Sequence, residues 1–175
     1  MTLIALIRGV NVGGNKMLSM AVLKELCVGL GLEDVQTVLQ SGNVVFRSAK
    51  KISAKTLENA ILEKTGLDVR VFLRTPAEME KVIAQNPFPE EAKSDPGHLV
   101  VMFLERELTA NAKAALRDAS AAGPERVRIG KEEIYVYYPE GMGRSKLVLD
   151  ERRLGVSGTA RNWNTVARLL ARSSS

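Results

Sequence analysis

The first half of the chain alternates between short apolar runs and amphipathic stretches. Apolar residues recur at helical spacing from Ser19 to about Leu30, and again from Ser53 to just before Gly66. Four runs have the composition of strands: residues 2–8, 35–39, 44–46 and 69–73. The resulting order, β-α-β-β-α-β, is typical of a ferredoxin-like module. We therefore expect an α+β fold.

This order also predicts which loops lie together. A right-handed helical crossover makes the first two strands parallel. The loop after the first strand, residues 8–16, and the turn after the second strand, residues 40–43, then lie at the same end of the sheet. Two polar, glycine-containing segments are thus expected side by side.

The second half begins after a further helix, which Thr75 and Glu78 start with capping-box spacing. Residues 86–97 contain three prolines and are interpreted as a linker or an ordered crossing loop. A βαββ pattern follows in residues 98–138, and we expect a helical turn at residues 145–149. Thr159 is predicted to cap a final helix to about Ala171. The predicted domains are residues 1–85, a linker at 86–97, and a related module with C-terminal helices at 98–175.

Composition narrows the class of protein. Hydrophobic residues make up 45% and charged residues 26% of 175, as in soluble globular proteins. The single cysteine excludes an intramolecular disulfide. With no signal peptide or membrane span evident, we expect a cytoplasmic protein without membrane contact.

Positive charge is concentrated near the end of the chain. Residues 141–175 hold seven basic and two acidic side chains, which accounts for the whole net charge of +5. Such an excess could attract a phosphate-bearing small molecule or nucleic acid. It could equally serve only solubility. Few aromatic residues are interleaved with the basic ones, which argues against a base-stacking platform.

Residues 8–16, Arg-Gly-Val-Asn-Val-Gly-Gly-Asn-Lys, form the clearest candidate for ligand binding. Glycines, donors and cations between a strand and a helix are typical of an anion-cradling turn. The segment is not a nucleotide-triphosphate P-loop, because Asn15 stands where that motif has lysine. The glycine spacing also differs from that of the dinucleotide fingerprint. A purely structural turn is the alternative.

Three further segments carry similar chemistry. Residues 40–43 offer neutral donors or form a plain hairpin turn, and residues 141–146 offer a phosphate seat or a capped helix start. The final helix has a basic face, opposite a face on which Trp163 is expected in the core. The predicted ligand-binding residues are Arg8, Asn11, Gly13, Gly14, Asn15, Lys16, Gln40, Ser41, Asn43, Arg144, Ser145, Lys146, Arg161 and Asn162.

No complete catalytic set is present in the sequence. One histidine, His98, and one cysteine exclude a zinc site of the Cys/His type, and we expect neither metal nor cofactor. An enzyme acting on a small phosphorylated or carboxylated substrate stays open as an alternative. Its proton chemistry would fall to Ser41, His98, Tyr135, Tyr137 or Tyr138. A protein-interaction module with structural glycine turns is a third possibility, and the oligomeric state is open.

The same motifs resemble a known family. Arg8–Gly14, residues 40–46, Asn86-Pro87-Phe88, residues 138–146 and residues 159–166 resemble, in this order, the bacterial domain of unknown function 1697. The resemblance implies a cytosolic bacterial protein with a ferredoxin-like α+β arrangement. It implies no activity and supplies no catalytic residues.

Overall fold

The computed structural model describes residues 1–174. They form two compact units, residues 1–81 with 167–174 and residues 82–166. Each unit contains one four-stranded antiparallel sheet. The predicted α+β fold class is confirmed.

The first unit has the predicted ferredoxin-like order. Its sheet runs β2-β3-β1-β4 with every neighbouring pair antiparallel, so that β1 and β2 are parallel to each other. The elements are β1 (Thr2–Ile7), α1 (Met20–Gly29), β2 (Glu33–Thr37), β3 (Asn43–Arg47), α2 (Ala54–Thr65), β4 (Val71–Arg74) and α3 (Pro76–Ala84).

Local capping explains where these helices begin. Ser19 and Ser53 are the N-caps of α1 and α2, as predicted. Ahead of α3, the Glu78 amide donates to Thr75 Oγ1 at 3.2 Å, and the Thr75 amide donates to Glu78 Oε2 at 2.7 Å. This reciprocal pair is the predicted capping box.

The core of the first unit lies between the sheet and its two long helices. It includes Leu3, Ala5 and Ile7 of β1, Leu23 and Cys27 of α1, and Leu57 and Ile61 of α2. Burial raises the pKa of the Cys27 thiol to about 11. The fully buried thiol therefore packs as a small apolar group.

The second unit repeats the strand order of the first. Its sheet runs β6-β7-β5-β8 with antiparallel neighbours. The predicted βαββ module is therefore completed by a fourth strand, and a short helix lies within residues 86–97. The elements are α4 (Pro89–Ser94), β5 (Leu99–Leu104), α5 (Ala110–Ala121), β6 (Arg126–Ile129), β7 (Glu133–Tyr137), one 3₁₀ turn (Met142–Arg144), α6 (Glu151–Leu154) and β8 (Gly158–Asn162). The last helix, α7 (Trp163–Ser173), begins in this unit, and its residues from 167 on belong to the first unit.

The predicted start of the last helix is wrong. Thr159 lies in β8, opposite Phe103 of β5, and does not cap a helix. The cap is Asn162, whose Oδ1 accepts from the Thr165 amide at 3.0 Å. A side chain on Gly158 would lie 2.9 Å from the Phe103 carbonyl oxygen. Only glycine lets β8 lie this close to β5, and this contact overrides the local helical pattern.

We predict that Asn162→Ala lowers the free energy of unfolding by about 1 kcal/mol, because the first turn of α7 loses its cap. Chemical denaturation of the purified chain measures the change. Asn164→Ala is the matched control, since Asn164 is an exposed asparagine of the same helix. Equal stability of the two variants would contradict the assigned cap.

Candidate functional site

The glycine loop after β1 forms a small hairpin. The Asn15 amide donates to the Val12 carbonyl and the Asn11 amide to the Lys16 carbonyl, both at 3.1 Å. Gly13 and Gly14 occupy its tip with φ of 59° and 77°. The expected seat at a helix N-terminus is absent here, because α1 begins only at Met20 and carries its own cap.

Asn11 joins the two loops that the topology was expected to bring together. Its Nδ2 donates to the Leu18 carbonyl at 2.8 Å and to the Gln40 carbonyl at 2.7 Å. Its Oδ1 accepts from the Leu18 amide at 2.8 Å. The whole amide group is therefore engaged in holding the loops.

Asn43 has a comparable role in the second loop. It is fully buried, and its Nδ2 donates to the Val38 carbonyl at 2.9 Å and to Ser41 Oγ at 2.8 Å. Gly42 packs closely against Val10 of the first loop, and a Cβ on Gly42 would overlap Val10 Cγ2. These contacts account for the asparagine and the glycine of this turn by packing and hydrogen bonding.

Several predicted groups in the first unit face solvent. Gly13, Gly14, Asn15 and Gln40 are exposed, and Arg8 is half-buried. Lys16 is exposed too, although its Nζ donates to the Asp68 carbonyl at 2.7 Å. The two loops therefore converge, and the side chains of Asn15, Lys16 and Gln40 are exposed to solvent.

A separate cavity of about 550 Å³ in the first unit was not anticipated from the sequence. Its walls combine apolar side chains such as Leu3 and Ile52 with Lys50, Lys51 and Arg74. None of the predicted site residues lines it.

In the second unit, the turn at residues 141–146 differs from its prediction. Helical geometry occurs at Met142–Arg144 and again in α6, not at residues 145–149. The Ser145 hydroxyl donates to the Glu125 carboxylate and accepts from the Leu147 amide at 3.0 Å. This Ser145 side chain therefore fixes the turn, while Arg144 and Lys146 extend from it.

Both of those cations line one cavity of about 500 Å³. Arg153 of α6 also lines the cavity, and it lies outside the predicted motif of residues 141–146. Within residues 1–174, none of the three cationic groups makes an ion pair or a side-chain hydrogen bond. Two carboxylates, Glu125 and Glu140, share the lining.

Arg161 and Asn162 are not placed as expected. Arg161 lies in β8 rather than on a solvated helix face, and only 8% of it is exposed. Its Nη1 donates to Thr159 Oγ1 and to the Ala160 carbonyl, each at 2.8 Å, and burial lowers its pKa to about 10. Asn162 is the helix cap. Both side chains thus have structural roles.

A hydrogen-bonded cluster of His98, Asp95 and Tyr137 was not anticipated from the sequence. His98 Nδ1 lies 2.9 Å from Asp95 Oδ2, and the Tyr137 hydroxyl donates to the same oxygen at 3.0 Å. This hydrogen bond raises the pKa of Tyr137. The spacing Asp-x-x-His was the one available signal.

A family model described as a protein of unknown function, DUF1697, matches residues 1–135. The chain belongs to the DUF1697 family. This DUF1697 chain is also similar to the solved structure of a conserved bacterial protein from Streptococcus pneumoniae. The two are 21% identical over 98% of each chain, with a TM-score of 0.67, which shows a common fold alone. No curated protein matches the chain.

The part of this DUF1697 chain matched by the family model contains both first-unit loops and ends before the cavity turn. Among residues 1–174, no helix is both long and apolar enough to cross a membrane. Nor do those residues contain three or more acidic, histidine or cysteine side chains grouped to hold a metal.

We predict that Gly42→Ala destabilises the DUF1697 chain more than Gly14→Ala does. Both glycines have φ near 75° (75° and 77°), so each alanine incurs a backbone cost of about 1–2 kcal/mol. At Gly42 the added methyl group also overlaps Val10, which adds about 1–3 kcal/mol. Urea denaturation compares the two variants, and equal losses would contradict the close packing of the loops.

Proposed function

We propose that this protein binds a phosphate-bearing ligand in the second-unit cavity. The observation that carries the proposal is that Arg144, Lys146 and Arg153 line one cavity without ion-pair partners among residues 1–174. Like charges that share a cavity repel one another. A bound anion attracts all of them, so its electrostatic interaction with the cavity is favourable. Two of the three were selected from the sequence on chemical grounds.

The geometry suits a ligand larger than a free anion. A volume of about 500 Å³ is within the range of small-molecule and cofactor sites. Guanidinium groups such as those of Arg144 and Arg153 can bind phosphate oxygens in a bidentate manner, and an ammonium group adds a point charge.

The carboxylates favour a ligand with hydrogen-bond donors beside its phosphate. Glu125 and Glu140 share the cavity and repel a bare anion. Ribose hydroxyls or an exocyclic base amine can donate to them. These features together favour a nucleotide over inorganic phosphate.

RNA is the alternative phosphate-bearing ligand. Arg153 also lines a neighbouring cavity of about 340 Å³ together with Arg106 and Arg152. Two adjacent cationic cavities could take successive phosphates of one strand. Binding of RNA would then release several counterions and depend steeply on salt.

We predict that the double variant Arg144→Ala, Lys146→Ala lowers affinity for adenosine monophosphate at least about tenfold, since charge-assisted hydrogen bonds are lost. Isothermal titration calorimetry on the full chain measures the dissociation constant. Lys131→Ala is the control, because Lys131 is exposed in the turn between β6 and β7 and does not line the cavity. Unchanged affinity in the double variant would refute this site.

Salt dependence then separates the two ligands. Affinity for a short single-stranded RNA should fall steeply between about 50 and 200 mM salt, whereas affinity for the mononucleotide should change little. Wild-type protein that binds neither probe would contradict the proposed function as a whole.

A further inference from the structure

The only histidine of the chain is held in a defined orientation. His98 Nδ1 is 2.9 Å from Asp95 Oδ2, so Nδ1–H donates a hydrogen bond to the carboxylate and the neutral ring carries its lone pair on Nε2. Side-chain exposure is 46% for His98 and 38% for Asp95. The ring is therefore held through Nδ1 and is about half exposed to solvent.

The carboxylate itself is fixed by the elements around it. Asp95 follows the end of α4, where its amide donates to the Glu91 carbonyl at 2.9 Å, and Tyr137 of β7 donates to its Oδ2. Arg126 of β6 lies over the Tyr137 ring at 5.3 Å and pairs with Glu91. Three elements of the second unit, α4, β6 and β7, thus set the position of one imidazole.

Gly141 lies next to Nε2 of the ring. A Cβ built on Gly141 would lie 3.5 Å from His98 Nε2, and glycine places no side chain there. Gly141 also begins the 3₁₀ turn Met142–Arg144, so the cationic Arg144 lies three residues after this glycine.

We propose that His98 Nε2 accepts a phosphoryl group from a small phosphoryl donor, forming a phosphohistidine. The Nε2 lone pair attacks phosphorus, and the bond from phosphorus to the leaving group breaks as the new bond forms. The leaving group departs with the electron pair of that bond. Oxidation states do not change, and no further reactant is required.

Asp95 is a positioning residue in this reaction. When Nε2 forms its bond, the imidazole becomes cationic while Nδ1 keeps its proton. The carboxylate stabilises that charge across a short hydrogen bond. An accessible histidine without such a partner lacks this stabilisation.

The inference shares with the proposed function only the class of ligand, a phosphate-bearing molecule. It does not need the cavity to be occupied, because the donor reaches His98 from solvent. Loss of nucleotide binding in the Arg144 variant and loss of phosphohistidine in an Asp95 variant are therefore separable results.

The test is incubation of the full chain with potassium phosphoramidate, whose leaving group is ammonia. We expect the intact mass to rise by one phosphoryl group in an acid-labile form, which peptide mapping places at Nε2 of His98. Asp95→Asn should react at least about tenfold more slowly. Glu90→Gln, which removes an exposed carboxylate of α4, the helix that precedes Asp95, should react at the wild-type rate.

Two results would overturn the proposal: equal rates for wild type and Asp95→Asn, or a folded wild-type chain that reacts no faster than the same chain unfolded in urea. The second comparison decides the matter if Asp95→Asn does not fold. His98→Gln should give no acid-labile histidine adduct, and an adduct elsewhere in that variant would show that the label is non-specific.

Discussion

The pairing of β5 with a strand on each side determines most of what is distinctive in the second unit. On one side, β5 pairs with β8, which places residues 158–162 in the sheet and turns Arg161 into the protein interior. On the other side, β5 pairs with β7, and the Tyr138 amide donates to the His98 carbonyl at 3.0 Å, which extends this pairing to the residue just before β5. This last contact brings Tyr137 and the following glycine turn to the histidine. A change of register by one residue would reverse every one of these side chains between the two faces of the sheet.

Much of the first unit could be predicted because its signals are local. Caps, glycine stops and apolar spacing agree with one another there, and the parallel relation of β1 and β2 follows from handedness. In the second unit, β8 could not be predicted in this way. Its sequence, Gly-Thr-Ala-Arg-Asn, alternates weakly and runs directly into a strong helical pattern. Its strand character comes from backbone pairing with Phe103 and its neighbours, more than fifty residues earlier in the chain.

The candidate site was predictable to a similar extent. Arg144 and Lys146 lie in one short motif and could be selected from composition, whereas Arg153 and Glu125 reach the cavity only through the fold. Asp95 is three residues from His98, yet this spacing in a loop does not fix a side-chain direction. Tyr137, which secures the carboxylate, is forty-two residues from Asp95. Arg144, Lys146, His98 and Tyr137 could therefore be selected singly from the sequence, whereas their partners Arg153, Glu125 and Asp95 are brought to them by the fold.

Polar residues in turns have two different explanations, and hydrogen bonding distinguishes them. The amides of Asn11 and Asn43 satisfy backbone carbonyls that the tight loops leave unpaired, so the fold alone accounts for these residues. The side chains of Arg144, Lys146 and Arg153 make no ion pair or hydrogen bond of this kind within residues 1–174. A group that contributes to the fold needs no ligand to explain it. The fold therefore accounts for Asn11 and Asn43 of the two polar loops, whereas it does not account for the three cations of the second-unit cavity.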